Sequence, residues 1–452
     1  MKNLIEKALA YTTDTKECVI APGAVECAAK MFSGLFPGKK SAYLVFDPNT
    51  WKVAGERVEA LLAAAGVSCR RHELGADGKP FHAEYRWIDE VRDGYLAAFA
   101  DSKAPMVAVG SGTVNDIVKR TSEEVGVRYM VVGTAASMDG YTSFGAAITK
   151  DGMKQTLSCK APLGCIVDSR IAAAAPREMT ASGYADLIAK IPAGADWMLA
   201  DAVGSEAIHP VAWELVQDSL RDALKNPEGC ASGDIAEVEK LCAGLVMSGF
   251  AMQAMNSSRP ASGTEHQISH YWDMEDLAFN GLPVSHGFKV GIGTLMSTAE
   301  LEFILEKGFS DIDIDKCVEG WKTWEEMESE IRKVMTGKPG HIDRGLVEAK
   351  GKYVDADGLR KQLETLKAVW PELSERIRQQ IIPFSEVREK LKLVGAPYEP
   401  EMIGVSRERF RQTVSYIPYM RSRFTNIDVI YRLGWMDEFI DRMFGKGGIW
   451  EI

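Results

Sequence analysis

Three of the chain's seven histidines lie close together in the sequence, at His266, His270 and His286. His266 and His270 are four residues apart, so on a helix they lie on the same face. Ser262 followed by Glu265 is a capping-box pattern, which predicts that this helix begins just before His266. These are either ordinary helical histidines or part of a divalent-metal site, and a metal site would need a carboxylate to join them.

A carboxylate of that kind lies earlier in the chain, at Asp186. Its surroundings, residues 182–190, are otherwise apolar and have helical spacing. Burying a carboxylate there is costly unless it is paired or bound to a metal. One carboxylate and two imidazoles would provide three protein ligands and leave coordination positions open for a substrate oxygen.

A loop of small residues follows an apolar run at 105–109 and precedes a helical pattern; it consists of Gly110, Ser111, Gly112, Thr113 and Val114. Small residues let backbone N–H groups approach a phosphate, and a helix N-terminus favours negative charge. The loop matches neither a Walker A loop nor a GxGxxG motif. An ordinary strand-to-helix turn explains it equally well.

Asp47 follows another apolar run, Ser41–Phe46, and begins an Asp-Pro-Asn-Thr turn. Dinucleotide-binding folds place a carboxylate in this position to bind a ribose hydroxyl. Such a carboxylate favours NAD over NADP, because it repels a 2′-phosphate. Asp is also a common helix cap, and the sequence leaves both interpretations open.

A polar loop follows the apolar run at 127–132 and contains Thr134, Ser137, Asp139 and Ser143. Open α/β sheets bind ligands at the carboxyl ends of their strands. The position of this loop therefore makes it a candidate ligand-binding segment.

The fold class follows from the order of the patterns. Residues 1–170 alternate apolar runs with helical stretches, which predicts βαβ units and a parallel sheet. Helical periodicity predominates from 171 to 452. We therefore predict an N-terminal α/β domain at 1–170 and a helical domain at 171–452, with 308–352 as a variable surface insertion.

Composition limits the possible partners. The chain has 452 residues, of which 46% are hydrophobic, so two domains are expected. A net charge of −11 disfavours a nucleic-acid or anionic-membrane partner. We find no signal peptide and no apolar stretch that could span a membrane. Eight cysteines without a C-x-x-C pair predict reduced thiols and a cytoplasmic location.

Together these motifs resemble one family, the sn-glycerol-1-phosphate dehydrogenase group of the iron-containing alcohol dehydrogenase and dehydroquinate synthase-like superfamily. The residues that carry the resemblance are Asp47-x-Asn49-Thr50, Gly110-x-Gly112, the TxxSxDGYxS loop at 134–143, GYADLIAK at 183–190, EHQISH at 265–270 and His286-Gly287.

The resemblance implies a dinucleotide-binding α/β domain, a helical domain and specific residue roles. NAD or NADP would be held by residues 110–114, by the loop from Thr134 to Ser137 and by Ser143. Substrate would be contacted by Asp139 and His270, which would serve the catalysis. One divalent metal would be bound by Asp186, His266 and His286, with Asp186 also near the substrate. Zinc is the expected metal, with iron and nickel as alternatives.

The resemblance also implies a reaction, the NAD(P)H-dependent and metal-dependent interconversion of dihydroxyacetone phosphate and sn-glycerol 1-phosphate. A glycerol or other polyol dehydrogenase, a dehydroquinate synthase-like lyase and an inactive NAD-binding protein remain alternatives. A phosphorylated small-molecule substrate needs cations, for which Lys154, Lys160 and Lys190 are candidates. We expect a homo-oligomer.

Overall fold

The computed structural model describes residues 2–76, 81–99, 102–150, 153–335 and 340–452, without the side chains of residues 2, 3, 153 and 154. These residues pack into two compact units. Unit 1 comprises Met1–Leu187, Val211–Ser258 and Leu393–Gly395, and unit 2 comprises Ile188–Pro210, Arg259–Lys392 and Ala396–Ile452. The sequence prediction divides the chain once, after residue 170, whereas the compact units divide it at several points.

The strands, in chain order, are β1 (Glu17–Ala21), β2 (Ser41–Phe46), β3 (Ser68–Glu73), β4 (Met106–Gly110), β5 (Tyr129–Gly133), β6 (Ala146–Lys150), β7 (Met153–Leu157), β8 (Gly164–Asp168), β9 (Ala278–Phe279) and β10 (Leu282–Pro283). Six of them form a sheet in the order β1-β8-β5-β4-β2-β3, and each pair of adjacent strands in it is parallel. Two antiparallel hairpins, β6–β7 and β9–β10, lie outside this sheet.

Helices of the first half are α1 (Lys2–Leu9), α2 (Ala28–Leu35), α3 (Pro48–Thr50), α4 (Glu56–Ala64), α5 (Tyr85–Phe99), α6 (Gly112–Glu124), α7 (Ser169–Ala173), α8 (Arg177–Ile188), α9 (Lys190–Ala202), α10 (Pro210–Ala223) and α11 (Pro227–Ser232). Helices of the second half are α12 (Ile235–Met255), α13 (Thr264–Met274), α14 (His286–Lys307), α15 (Ile314–Glu319), α16 (Trp324–Val334), α17 (His341–Lys352), α18 (Ala356–Gln380), α19 (Phe384–Val394), α20 (Arg407–Tyr416), α21 (Asn426–Arg432) and α22 (Met436–Phe444).

The central strands of the sheet are buried along their whole length. Every residue of β4, β5 and β8 is buried. Uninterrupted apolar strands are typical of parallel sheets whose two faces are both covered. On one face, Phe32 of α2 and Val58 of α4 belong to the same core cluster as Val107 and Val132 of the sheet. This core fixes the carboxyl ends of β4 and β5 side by side.

The predicted fold class is confirmed, because a parallel α/β sheet comes first and a largely helical region follows it. The segment 308–352, predicted as a surface insertion, contains α15, α16 and α17. Met327, Ile331 and Ala349 in it are buried. Among the residues that the structure describes, no helix is both long and apolar enough to cross a membrane.

Candidate functional site

Helix α13 carries His266 and His270 and begins at Thr264, as the sequence pattern predicts. The predicted cap is wrong, because Gly263 is the N-cap residue and Ser262 lies before it. The Ser262 carbonyl instead accepts a hydrogen bond of 2.9 Å from Arg423 Nη1. Glu265 reaches back and accepts from Gly263 N at 2.6 Å, so the acidic half of the capping pattern is present in altered form.

Three imidazole rings face one another in unit 2. His286 is the first residue of α14, where Ser285 caps the helix. The ring centroids of His266 and His286 lie 5.4 Å apart. The ring centroid of His270 lies 6.3 Å from that of His266 and 6.4 Å from that of His286. Two histidines one turn apart on α13 and one at the start of α14 thus form a compact imidazole cluster.

Asp186 on α8 joins two of these histidines. One ligand atom from each of Asp186, His266 and His286 lies within 4.8 Å of the other two. Asp186 and His266 are buried, and His286 is half-buried. A buried carboxylate oxygen with two imidazole nitrogens is a donor set that zinc, iron(II) or nickel accepts. The three residues therefore fit a single divalent metal ion, and His270 is not part of this group.

Each of the two buried members of the group has a second partner that fixes its orientation. Glu265 Oε1 lies 2.7 Å from His266 Nδ1. Because a carboxylate only accepts, His266 donates from Nδ1, so Nε2 is the nitrogen that would bind a metal. Asp186 Oδ2 accepts a hydrogen bond of 3.0 Å from the backbone N–H of Asp139.

His270 is held in a neutral state. Burial lowers its pKa to about 3, Asp273 opposes that shift, and the charge of Arg421 adds to it. Its Nδ1 lies 3.8 Å from Asp273 Oδ2, and Asp273 also pairs with Lys289. The His270 side chain is 29% exposed, so the imidazole remains accessible to a small molecule. A neutral imidazole here can exchange a hydrogen bond with a substrate hydroxyl or carbonyl.

The small-residue loop joins β4 to α6. Gly110 ends β4, Ser111 is the N-cap, and Gly112, Thr113 and Val114 begin α6. A Cβ atom on Gly110 would lie 2.6 Å from Val114 Cβ, and one on Gly112 would lie 2.6 Å from Met138 Cε. Residues 111–113 are half-buried. The helix N-terminus is therefore tightly turned and still accessible, as a dinucleotide phosphate requires.

The polar loop after β5 lies against the same turn. Thr134 N donates to Gly110 O at 3.2 Å, and Gly110 and Gly133 are partners in the sheet. Ser143 and Asp139 are buried, while Ser137 is half-buried. Asp139 Oδ2 accepts from Ser248 Oγ of α12 at 2.9 Å. The loop thus connects the candidate cofactor turn with the carboxylate at Asp186.

Lys119 on α6 is a site residue that the sequence reasoning missed. Its side chain is fully buried, and Nζ donates to the carbonyl oxygens of Gly140, Ser143 and Gly145 at 2.8, 3.0 and 3.0 Å. A buried ammonium group needs several acceptors to offset its desolvation. Lys119 therefore holds the end of the polar loop. In the sequence, the feature that could have indicated its burial is its position on the apolar face of α6.

Asp47 caps α3, which confirms one of the two interpretations of this residue. Its Oδ1 accepts from Asn49 N at 2.8 Å and from Thr50 N at 3.1 Å. Within the described residues no hydrogen bond ends on Oδ2. Since β2 lies next to β4 in the sheet, Asp47 lies at the same sheet edge as Gly110. Capping leaves one oxygen for a ribose hydroxyl, and that role stays a prediction.

The predicted phosphate-binding lysines differ in their surroundings. The side chain of Lys154 lies outside the described residues. Lys160 is exposed, and Lys190 is fully buried in the first turn of α9. A role for Lys160 or Lys190 in binding phosphate stays a prediction.

Comparison with known proteins shows similarity to several dehydrogenases. The family model described as iron-containing alcohol dehydrogenase matches residues 19–176. The glycerol-1-phosphate dehydrogenase [NAD(P)+] of Halalkalibacterium halodurans is 33% identical over 57% of this chain and 63% of its own length. The chain therefore spans less than two thirds of that relative. The Pyrococcus furiosus protein of the same name is 34% identical over 56% of this chain and 69% of its own length.

Two further similarities extend over most of the chain. The glycerol-1-phosphate dehydrogenase [NAD(P)+] of Bacillus licheniformis is 27% identical over 96% of this chain and 92% of its own length. The crystal structure of glycerol dehydrogenase from Schizosaccharomyces pombe matches with a TM-score of 0.59 at 15% identity, over 95% of this chain and 91% of that chain. At this identity the structural similarity shows a shared fold alone.

Proposed function

The chain belongs to the iron-containing alcohol dehydrogenase family, and on this basis we propose that it interconverts dihydroxyacetone phosphate and sn-glycerol 1-phosphate with NAD or NADP. Relatives named glycerol-1-phosphate dehydrogenase support the substrate pair. The observation that carries the proposal is the grouping of Asp186, His266 and His286 within 4.8 Å.

The three grouped residues would hold one divalent metal ion, which as a Lewis acid would polarise the ketone carbonyl. The protein's own contribution is to keep the ligand atoms in place. Glu265 orients the His266 ring through Nδ1, and the backbone N–H of Asp139 fixes one oxygen of Asp186. Two oriented ligands lower the reorganisation that binding a metal requires.

NAD(P)H would bind at the carboxyl ends of β4 and β5, and it supplies the hydride. The N-terminus of α6 and the loop from Thr134 to Ser143 surround this position. Asp47 supports a preference for NAD over NADP, because its free Oδ2 suits a ribose hydroxyl and repels a 2′-phosphate.

His270 would contact the substrate. With a pKa of about 3 it is neutral at physiological pH, so it orients an oxygen through a hydrogen bond instead of attracting it by charge. Asp139 has its carboxylate bound to Ser248. We propose that Asp139 also contacts the substrate, while its backbone N–H donates a hydrogen bond to Asp186.

We also propose a cellular location, a metal identity and an oligomeric state. All eight cysteines are free thiols, which supports a cytoplasmic setting. Zinc is the metal that we propose first, and elemental analysis of the purified protein distinguishes it from iron and nickel. Sedimentation analysis tests the proposed homo-oligomer.

A screen of NADH and NADPH oxidation tests the proposed function. We expect turnover with dihydroxyacetone phosphate to exceed that with dihydroxyacetone, and we expect it to require metal. Asp186→Ala and His266→Ala should lose both bound metal and turnover, while the exposed His209→Ala should keep both. Equal rates on the two ketones would indicate a polyol dehydrogenase. Turnover without net loss of NADH would indicate a lyase.

A further inference from the structure

Arg421 differs from the other arginines around it in unit 2. It lies in the loop of residues 420–425, which precedes α21, and its side chain is half-buried. Across the part of the chain that the structure describes, no hydrogen bond or ion pair ends on its guanidinium. A guanidinium offers five N–H donors, so this group retains an unused capacity to bind an anion.

The rest of this loop is fixed in place by hydrogen bonds. Ser422 N donates to Glu348 Oε2 at 2.8 Å. Arg423 Nη1 donates to Ser262 O at 2.9 Å, and Arg259 Nη1 donates to Phe424 O at 3.0 Å. Arg421 therefore projects from an anchored backbone.

The loop lies against the helix of the histidine cluster. Gln267, the residue after His266, donates from Nε2 to Arg423 O at 3.5 Å. The positive charge of Arg421 also lowers the pKa of His270, as expected for neighbouring groups. The loop that carries Arg421 thus lies beside α13, the helix that carries His270.

A second cation stands close to Arg421. Arg344 lies on α17, where its Nε is 3.9 Å from Glu348 Oε1. Burial lowers the pKa of Arg421, Glu348 opposes this shift, and Arg344 adds to it. Among the described residues, Glu348 thus lies near two guanidinium groups and forms an ion pair with that of Arg344 but not with that of Arg421, so these three side chains together carry a net positive charge.

A desolvated cation without a full counter-charge is costly unless a ligand supplies the missing charge. Guanidinium groups bind phosphate oxygens in a two-pronged geometry that lysine does not provide. We propose that Arg421, assisted by Arg344, is the subsite that receives the phosphate group of the substrate. The segment 308–352 then contributes to substrate recognition through α17. This inference rests on the proposed function.

The test compares Arg421→Met with Arg411→Met, which replaces an exposed arginine of α20. The quantity measured is kcat/KM for dihydroxyacetone phosphate divided by kcat/KM for dihydroxyacetone. Loss of a charge-assisted phosphate contact should lower this ratio by about 10- to 100-fold in Arg421→Met. Arg421→Lys should recover part of it, Arg344→Met should lower it less, and Arg411→Met should leave it at the wild-type value.

A binding measurement separates failure of the subsite from failure of the proposed function. Inorganic phosphate should raise the melting temperature of wild type and of Arg411→Met, and should raise that of Arg421→Met less. An unchanged ratio, or equal stabilisation of all three proteins, overturns the subsite even if the wild type is active. If the wild type turns over neither ketone, the proposed reaction fails, and the phosphate shift alone then supports or overturns the anion subsite.

Discussion

The orientation of His266 depends on its sequence neighbour. Glu265 accepts from Gly263 N at 2.6 Å and lies 2.7 Å from His266 Nδ1, so one carboxylate oxygen fixes both the start of α13 and the imidazole. The other oxygen, Oε2, is buried and has no hydrogen-bond partner among the described residues. A carboxylate in these surroundings is costly to desolvate, and its contacts with Gly263 N and His266 Nδ1 offset part of that cost.

We predict that Glu265→Gln weakens metal binding by about 10- to 100-fold, because a neutral amide oxygen is a weaker acceptor for His266 Nδ1–H than a charged carboxylate. The amide keeps an acceptor for Gly263 N, so the helix start should survive. Competition with a chromophoric chelator measures the dissociation constant. Glu275→Gln, at the C-cap of the same helix, is the matched control. Equal metal affinity in both variants would remove the assigned role of Glu265.

The chemical types of the site residues could be read from the sequence, but their grouping could not. Asp186 is recognisable because a carboxylate is costly in an apolar stretch, and His266 because it lies four residues from His270. Nothing local distinguishes His270 from His286 as a ligand, since that choice depends on ring positions set by two different helices. Arg421 lies in a short loop with no periodic pattern, so only the packing of that loop against α13 reveals its position.

Local elements set the geometry of the cofactor edge. A capped turn follows β2, a glycine turn follows β4, and the polar loop follows β5. Gly183 on α8 lies directly against that loop, because a Cβ atom there would be 2.0 Å from Ala136 O. The close approach of helix and loop places Asp186, one turn further along α8, within reach of the Asp139 N–H.

We expect Gly183→Ala to destabilise the protein by about 1–3 kcal/mol, because a backbone carbonyl cannot move aside as a side chain can. It should also weaken NADH binding, since the loop must shift. Chemical denaturation and NADH fluorescence titration measure the two effects. Gly34→Ala is the control, because Gly34 is also helical and a Cβ atom there meets nothing within 4 Å. A stability equal to that of the control would contradict the close packing.

We predict that Asp47→Ala lowers the free energy of unfolding by about 1 kcal/mol, the usual value for a lost N-cap. Asp47→Asn should keep the cap and most of the stability, because an amide oxygen also accepts from Asn49 N and Thr50 N. If Asp47 also binds the ribose, Asn should reduce the preference for NADH over NADPH. Denaturation curves and the two Michaelis constants separate the roles. An unaltered cofactor preference would leave Asp47 as a cap alone.

Three strands of the sheet were predictable because each contains a continuous apolar run. The run Ser41–Phe46 is β2 without any change of boundary, and the apolar runs at 105–109 and 127–132 contain most of β4 and β5. Strands β1 and β8 escaped prediction. They pair with each other across a large sequence separation, which no local pattern reports.

At the scale of the whole molecule, unit 2 contains a buried cluster of charges that the sequence did not reveal. Asp196, Glu265 and Glu300 are fully buried, and so is Arg259. Burial, followed by the charge of Glu265, raises the pKa of Asp196 to about 7. Burial raises the pKa of Glu300 well above its usual range. The α/β and helical division was predictable from periodicity, whereas this cluster is formed by residues distant in sequence.

The raised pKa of Asp196 gives the stability a definite pH dependence. The unfolded carboxyl loses its proton near 3.8, whereas the folded one keeps it to about 7. Across that window the folded state binds more protons, so the contribution of Asp196 is complete below 3.8 and is lost as the pH rises through 7. The loss amounts to about 4 kcal/mol at most, from three units at about 1.4 kcal/mol each.

We therefore expect the free energy of unfolding to fall between pH 5 and pH 8, and to fall less steeply in Asp196→Asn. The two carboxylate oxygens of Asp196 accept hydrogen bonds from the backbone N–H groups of Thr264 and Asn426. An asparagine has only one side-chain oxygen, so one of these hydrogen bonds is lost and the variant is less stable overall. The slope is therefore the measure, and it is obtained from urea denaturation of both metal-stripped proteins. Parallel slopes would show that Asp196 is already ionised in the folded state.

The rate of NADH oxidation with dihydroxyacetone phosphate, before and after removal of metal, tests the central claim most directly. The purified protein is stripped with a chelator, assayed, and assayed again after one equivalent of a divalent metal is added. With Asp186, His266 and His286 as ligands, the rate should fall to background and return on addition. The same treatment of Asp186→Ala should restore nothing. A stripped protein that keeps its full rate would contradict a metal-dependent dehydrogenase.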